Sequence, residues 1–152
     1  MLKKIILITL FLNLLTACDY TPIYSDKNLK NRNFSIEIIN INGDRDINNR
    51  INLHLKKYQN DLEGKKLISI NTKYNKSIYL KDSAGDASEY KLDVTAEINV
   101  NSEKKIFISE SFNMKKMTNL FDQSNYEKTI KKNFADSIVE KLLLKLTITN
   151  DI

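Results

Sequence analysis

The 152-residue chain has one cysteine, one proline, one histidine and three glycines. Each scarcity excludes a class of chemistry. With only His54 and Cys18, no zinc or copper site of standard composition can be built. A lone cysteine has no partner for a disulfide within the chain, so the fold must hold together by packing alone. The glycines are scattered at Gly43, Gly64 and Gly85, so there is no Gly-rich phosphate loop. There is no nucleophile elbow either, and no serine with a histidine to activate it. His54 falls on the border of an apolar helical stripe and reads as a half-buried structural or surface residue. Asp82, Asp86 and Glu89 cluster in one loop without the spacing of a calcium site and read as solvated loop acids. Other paired carboxylates are indistinguishable from surface charge. The chain is therefore read as a non-enzyme that needs no cofactor. The formal charge of +5 is well short of a nucleic-acid-binding signature, and no nucleic-acid partner is expected.

What is present begins at the N-terminus. Met1-Leu2-Lys3-Lys4 is a short positive start. Ile5 to Leu15 is an apolar run broken only by Thr9 and Asn13, too short for a typical membrane span. Leu15-Thr16-Ala17-Cys18 closes it. This is the plan of a secretory signal peptide, and its exit matches the bacterial lipobox, in which the cysteine is acylated and becomes the first mature residue. The sole cysteine stands where that chemistry needs a thiol. The alternatives are an uncleaved anchor, or an ordinary signal peptide with a chance cysteine. Residues 1–17 are thus read as a lipoprotein signal peptide, 18–33 as a lipidated tether and 34–152 as one α+β domain. Loss of Lys3 and Lys4 lowers the formal charge from +5 to +3. Each buried methylene of an acyl chain contributes about 0.8 kcal/mol, so two or three chains anchor effectively permanently. Pro22 disfavours helix at Thr21 and makes the tether extended.

Further on, the apolar period alternates between two and about 3.6. Phe34-Ser35-Ile36-Glu37-Ile38 alternates and predicts a strand to about Ile41. Asp44 or Asp46 can cap a helix carrying Ile47, Ile51, Leu55, Tyr58 and Leu62 on one stripe, with Gly64 as its stop. From Leu67 the period is two again. Ile68, Ile70, Tyr74, Ile78 and Leu80 share a parity, with a bulge expected near Lys76. A flexible loop, Asp82 to Ser88, leads into Tyr90, Leu92, Val94, Ala96, Ile98 and Val100, a strand with one wet and one dry face. After a tight turn at Asn101-Ser102-Glu103-Lys104, the residues Ile106, Ile108, Phe112 and Met114 continue as its hairpin partner. Glu110 interrupts the dry face and Phe107 sits on the wet one. Ser124 and Glu127 fit a capping box for a last helix bearing Tyr126, Ile130, Phe134, Ile138, Leu142 and Leu146. The order β-α-β-β-β-α predicts an α+β two-layer sandwich, a mainly antiparallel four-stranded sheet with two helices on one face. Lys73, Lys91, Asp93, Glu97 and Phe107 are left on the open face.

Lysines gather near the expected strand ends: Lys73, Lys76, Lys81, Lys91, Lys104, Lys105, Lys115 and Lys116. Such clusters hold phosphates by charge-assisted hydrogen bonds. Edge lysines also discourage aggregation, and the sequence leaves both readings open.

The lipobox followed by Cys18-Asp19-Tyr20-Thr21-Pro22-Ile23-Tyr24 resembles the Cys-Gly-aromatic-x-Pro-Leu-Tyr opening of LptE-like LPS-assembly lipoproteins. The element order, and the run from Gly85-Asp86-Ala87-Ser88 into an alternating strand, are similar to that family too. The resemblance implies a palmitate-bearing lipoprotein on the periplasmic side of the outer membrane. It would be a non-enzymatic subunit of the lipopolysaccharide transport complex, plugging an LptD-like β-barrel and binding lipopolysaccharide. It implies basic contacts at strand ends, assigned by position to Lys81 and Lys91, with lipid attachment at Cys18. Two departures stand out. Asp19 replaces the usual glycine and is an inner-membrane retention residue in some bacteria. Ser88-Glu89 stands where a Thr-Arg pair often precedes the strand. The alternative function is therefore an auxiliary lipoprotein of an ABC-type lipid transporter, or an activator of a periplasmic synthase. A periplasmic hydrolase relying on Glu110 or His54 is a third.

Overall fold

The computed structural model describes residues 35–60 and 64–148. The signal peptide, Cys18, the tether, Phe34 and Leu62 lie outside the described residues. The elements run β1 (Ile36–Gly43), α1 (Arg45–Leu55), a 3-10 turn (Lys56–Tyr58), β2 (Lys66–Lys81), β3 (Ala87–Val100), β4 (Lys104–Lys115) and α2 (Leu120–Ile148). The α+β order β-α-β-β-β-α is the expected one. The four strands lie side by side in chain order. The sheet is mixed, because β1 runs parallel to β2 while the other two pairings are antiparallel. A strand–helix–strand connection causes this: α1 carries the chain back to the end at which β1 began.

The stripes pack as their periods require. Ile47, Ile51, Leu55 and Tyr58 are buried from the first helix and its 3-10 extension. Ile130, Phe134, Ile138, Leu142 and Leu146 are buried from α2, with Ala135, Val139 and Leu143 beside them. They join Ile68, Ile70, Leu92, Val94, Ala96, Ile98, Ile106 and Ile108 of the sheet in one core. Each large aliphatic side chain removed from water there contributes about 1.5–3 kcal/mol before entropy is counted. Glu110 does break the dry face of β4, and the break is mended by α2: the Ser137 hydroxyl donates to its carboxylate at 2.7 Å and Lys141 pairs with it.

Several local expectations are corrected. The first helix stops at Leu55 and tightens into the 3-10 turn, short of the four turns its stripe suggested. Its cap is Asp44, whose carboxylate accepts the amides of Asp46 and Ile47 at 3.1 Å each. The second helix starts before Ser124. Asn119 caps it, its side-chain oxygen accepting the Phe121 amide at 2.9 Å. Nothing between Asn119 and Ser124 breaks a helix, so the earlier cap wins, and Glu127 is left to serve the sheet. The bulge in β2 falls between Ile78 and Leu80, and Lys76 stays in register opposite Leu92. The segment expected as a flexible loop is a hydrogen-bonded turn: Asp82 Oδ1 accepts the amides of Ala84 at 3.0 Å and Asp86 at 2.9 Å, and β3 already begins at Ala87. The β3–β4 turn closes through left-handed backbone at Asn101 (φ 51°) and Ser102 (φ 61°), the signature of a primed hairpin turn.

Candidate functional site

The helices do not cover the whole sheet. On β2 the dry parity is fully buried at Ile68 and Ile70, but Ile78 is 53% exposed. Beyond Tyr74 it is β2 that loses its cover, while Leu92 of β3 and Met114 of β4 at the same levels stay buried. Tyr79 and Leu80 are also exposed there, and so are Leu120 and Phe121 in the first turn of α2, at 76% and 72%. Two contacts tie α2 to this same end of the sheet. Tyr126 meets the half-exposed Phe112 of β4 edge to face, with ring centroids 6.2 Å apart. The Met117 amide donates to Gln123 Oε1 at 3.0 Å. The Lys116 amide donates to the Ser88 carbonyl and zips the strand ends together. Seven large apolar side chains thus surface toward one end of the sheet, with the bulge setting Leu80 opposite Glu89, and this end is the candidate interaction surface among the described residues.

Cations rim it. Lys81 stands at the last position of β2, opposite Ala87, and Lys115 lies opposite Glu89. Lys81, Lys115 and Lys116 make no ion pair among the described residues. Lys91 does not join them. It sits within β3, opposite Ser77 and Asn113, about 13 Å along the strand direction from Lys81 at 3.3 Å per residue. Its ammonium is 3.3 Å from Asp93 on the same face. The two lysines singled out from the sequence are therefore not brought together: Lys81 belongs to the apolar end, Lys91 to the open face. The remaining lysines of the expected cluster separate as well. Lys104 and Lys105 mark the opposite end of the sheet, with Lys105 paired to Glu97 at 3.1 Å, and Lys76 is held by Glu127 at 2.6 Å.

A polar network fastens the base of this end. Glu127 accepts the Tyr74 hydroxyl at 2.8 Å as well as the Lys76 ammonium. Lys76 also lies 4.7 Å from the centroid of the Tyr90 ring. Lys131 pairs with Asp44 at 2.7 Å and stands 4.2 Å over the ring of Tyr74. Burial acts to raise the Glu127 pKa, but the bonds from Lys76 and Tyr74 and the nearby Lys131 charge outweigh it and hold the carboxyl below its ordinary value. Burial, then the Glu127 carboxylate, push the Tyr74 phenol up, so it remains a donor at any physiological pH. His54 packs its Nε2 3.3 Å from Asp136, which also takes a two-point bond from Arg50 at 2.8 and 3.0 Å. That cluster joins the two helices and stands apart from the apolar end.

The open face of the sheet carries Lys73, Lys91, Asp93, Glu97 and Phe107, no helix covers it among the described residues, and Phe107 is 58% exposed. The exposed apolar end was missed from the sequence because Ile78 carries the parity of core residues, and Leu120 and Phe121 precede the expected start of the helix.

No family model and no curated protein matches the chain. Solved structures do resemble it. A lipoprotein B from Nitrosomonas europaea, described as uncharacterized, is 12% identical, covers 77% of this chain and 88% of its own, and superposes with a TM-score of 0.51. The rare lipoprotein B of Shewanella oneidensis is 15% identical over 78% of this chain and 95% of its own, at 0.46. A putative lipoprotein of Caulobacter crescentus is 14% identical over 75% and 91%, at 0.49. The Nitrosomonas structure shares the fold of this chain.

Proposed function

We propose that this chain is a lipid-anchored, non-enzymatic subunit of the lipopolysaccharide transport and assembly complex, held at the periplasmic side of the outer membrane by Cys18 and partnering an LptD-like β-barrel. The observation that carries the reading is the lipobox ending at Cys18, set ahead of a β-α-β-β-β-α body with the fold of the Nitrosomonas lipoprotein B. The exposed end suits an amphiphilic anion. Ile78, Tyr79, Leu80, Leu120 and Phe121 offer acyl chains an apolar surface, and Lys81, Lys115 and Lys116 offer phosphates ammonium donors. The open face, with its lysines, acids and Phe107, suits the polar interior wall of a barrel. In this reading Lys81 contacts the lipid, and Lys91 stands on the barrel-facing side.

Depletion of the protein tests this. Surface lipopolysaccharide and mature barrel are both expected to fall, and wild-type protein is expected to restore both. A Leu120→Asp/Phe121→Asp variant should fold, since both sites are exposed, and should restore the barrel but not surface lipopolysaccharide. Normal levels of both on depletion would refute the proposal. Asp19 favours a second reading, an auxiliary subunit of an ABC-type lipid transporter at the inner membrane. Recovery of the protein and its crosslinked partners from inner-membrane fractions alone would favour it.

A further inference from the structure

The register of the last two strands fixes which way the outer backbone points. β3 and β4 pair without a shift from Glu89–Lys115 to Val100–Lys104. The Lys116 amide bonds to Ser88, so the even-numbered residues of β4 turn their N–H and C=O groups toward β3. Lys105, Phe107, Ser109, Ser111 and Asn113 therefore turn theirs away from the sheet. The Lys145 ammonium, reaching the Phe107 carbonyl at 3.3 Å from α2, meets one of these outward groups. Among the described residues nothing else bonds to the outward backbone of these five, and all five are exposed.

β4 is the last strand of the sheet and twelve residues long. Over its length it has no proline and no bulge, two of the usual defences of an edge. Its inward charge, Glu110, is neutralised by Lys141. Basic side chains outnumber acidic ones around it: Lys104, Lys105, Lys115 and Lys116 at the strand ends and Lys141 and Lys145 from α2, against Glu89, Glu97, Glu103 and Glu110, of which Glu97 pairs with Lys105 and Glu110 with Lys141. Phe107 adds an apolar cross-strand contact on the open face.

We infer that the outer edge of β4 is a strand-addition site for a protein partner that contributes an extended acidic segment. Main-chain bonds to alternate residues supply the attachment, and the lysines select the charge. This goes beyond the reading above, because a closed barrel has no free edge to offer and the added strand must come from a segment outside it.

Proline tests the inference, because it distinguishes the two backbone faces. Ser109→Pro removes an outward N–H and leaves the ladder to β3 whole. A photoreactive benzoylphenylalanine at position 111 of the full-length chain, activated in cells, is expected to form an adduct with one protein. Mass spectrometry should place the adduct in an acid-rich peptide. Ser109→Pro should cut its yield about tenfold, the value of a lost ladder bond and its neighbour. If Ser109→Pro does not fold, hydrogen exchange on the unaltered complex decides, with protection expected at the amides of 107, 109, 111 and 113 relative to the free chain. No adduct, an adduct with a second copy of this chain, an adduct in a peptide without acids, a yield unaffected by proline, or unchanged exchange would each overturn the inference.

Discussion

Replacing Gly43 with alanine is expected to cost about 4 kcal/mol or more, enough to remove most of the stability of a domain of this size. Gly43 ends β1 with φ at +110°, a conformation that side chains rarely adopt. A Cβ there would stand 1.8 Å from the Thr72 carbonyl oxygen and 2.7 Å from the Thr72 hydroxyl. The obstacle is the backbone of the neighbouring strand, which cannot swing aside. Thr72 is itself committed: it is buried, its hydroxyl donates to Asn48 Oδ1 at 2.7 Å, and it accepts the Asp44 amide at 3.1 Å. Pushing Thr72 away would disturb the cap of α1 along with the strand pairing. Gly85→Ala is the control, because its φ is also positive, at +87°, but nothing lies within 4 Å of the new atom. It should cost about 1 kcal/mol. Urea denaturation followed by circular dichroism separates the two, and equal shifts would contradict the packing described for β1 and β2.

Glu127→Ala should destabilise the protein by about 2–3 kcal/mol, between the values for surface and buried ion pairs. The side chain is only 19% exposed, and its loss strands the Tyr74 hydroxyl and the Lys76 ammonium together. The same network makes stability depend on acid. Burial alone would raise the pKa values of Asp44, Glu110 and Glu127, yet Lys131, Lys141 and Lys76 respectively, with hydrogen bonds, hold each below its ordinary value. A carboxyl whose folded pKa is depressed contributes stability that is present above its unfolded pKa and lost as pH falls through the folded one. Wild-type protein is therefore expected to be stable near neutrality and to weaken below about pH 4. Glu127→Gln should be less stable at pH 7 and should lose less on acidification. Parallel pH profiles for the two would refute this account of how α2 is fastened to the sheet.

The parts of the fold visible in the sequence are those fixed by period. Leu92 to Val100 alternates without a fault and is buried on the expected face. The stripes at Ile47, Ile51 and Leu55 and at Ile130 to Leu146 need no tertiary information either. What the period does not encode is extent. Asn119 and Ser124 are both good caps, and only the continuous helix between them shows which one acts. Ile78 and Ile70 look alike in parity, and only the packed structure shows that one is a surface residue and the other core. The division of lysines was partly legible. Lys91 and Asp93, two apart on a strand, must share a face, so their pairing follows from alternation. The link from Lys76 to Glu127 spans 51 residues and had no local trace.

In the proposed reading a small body tied to a bilayer acts through contact, and the covalent state of Cys18 tests that most directly. Mass spectrometry of the N-terminal peptide of protein taken from the cell envelope should find the chain beginning at Cys18, with a diacylglyceryl thioether on its sulfur. A free thiol on protein recovered from the soluble periplasmic fraction would contradict it.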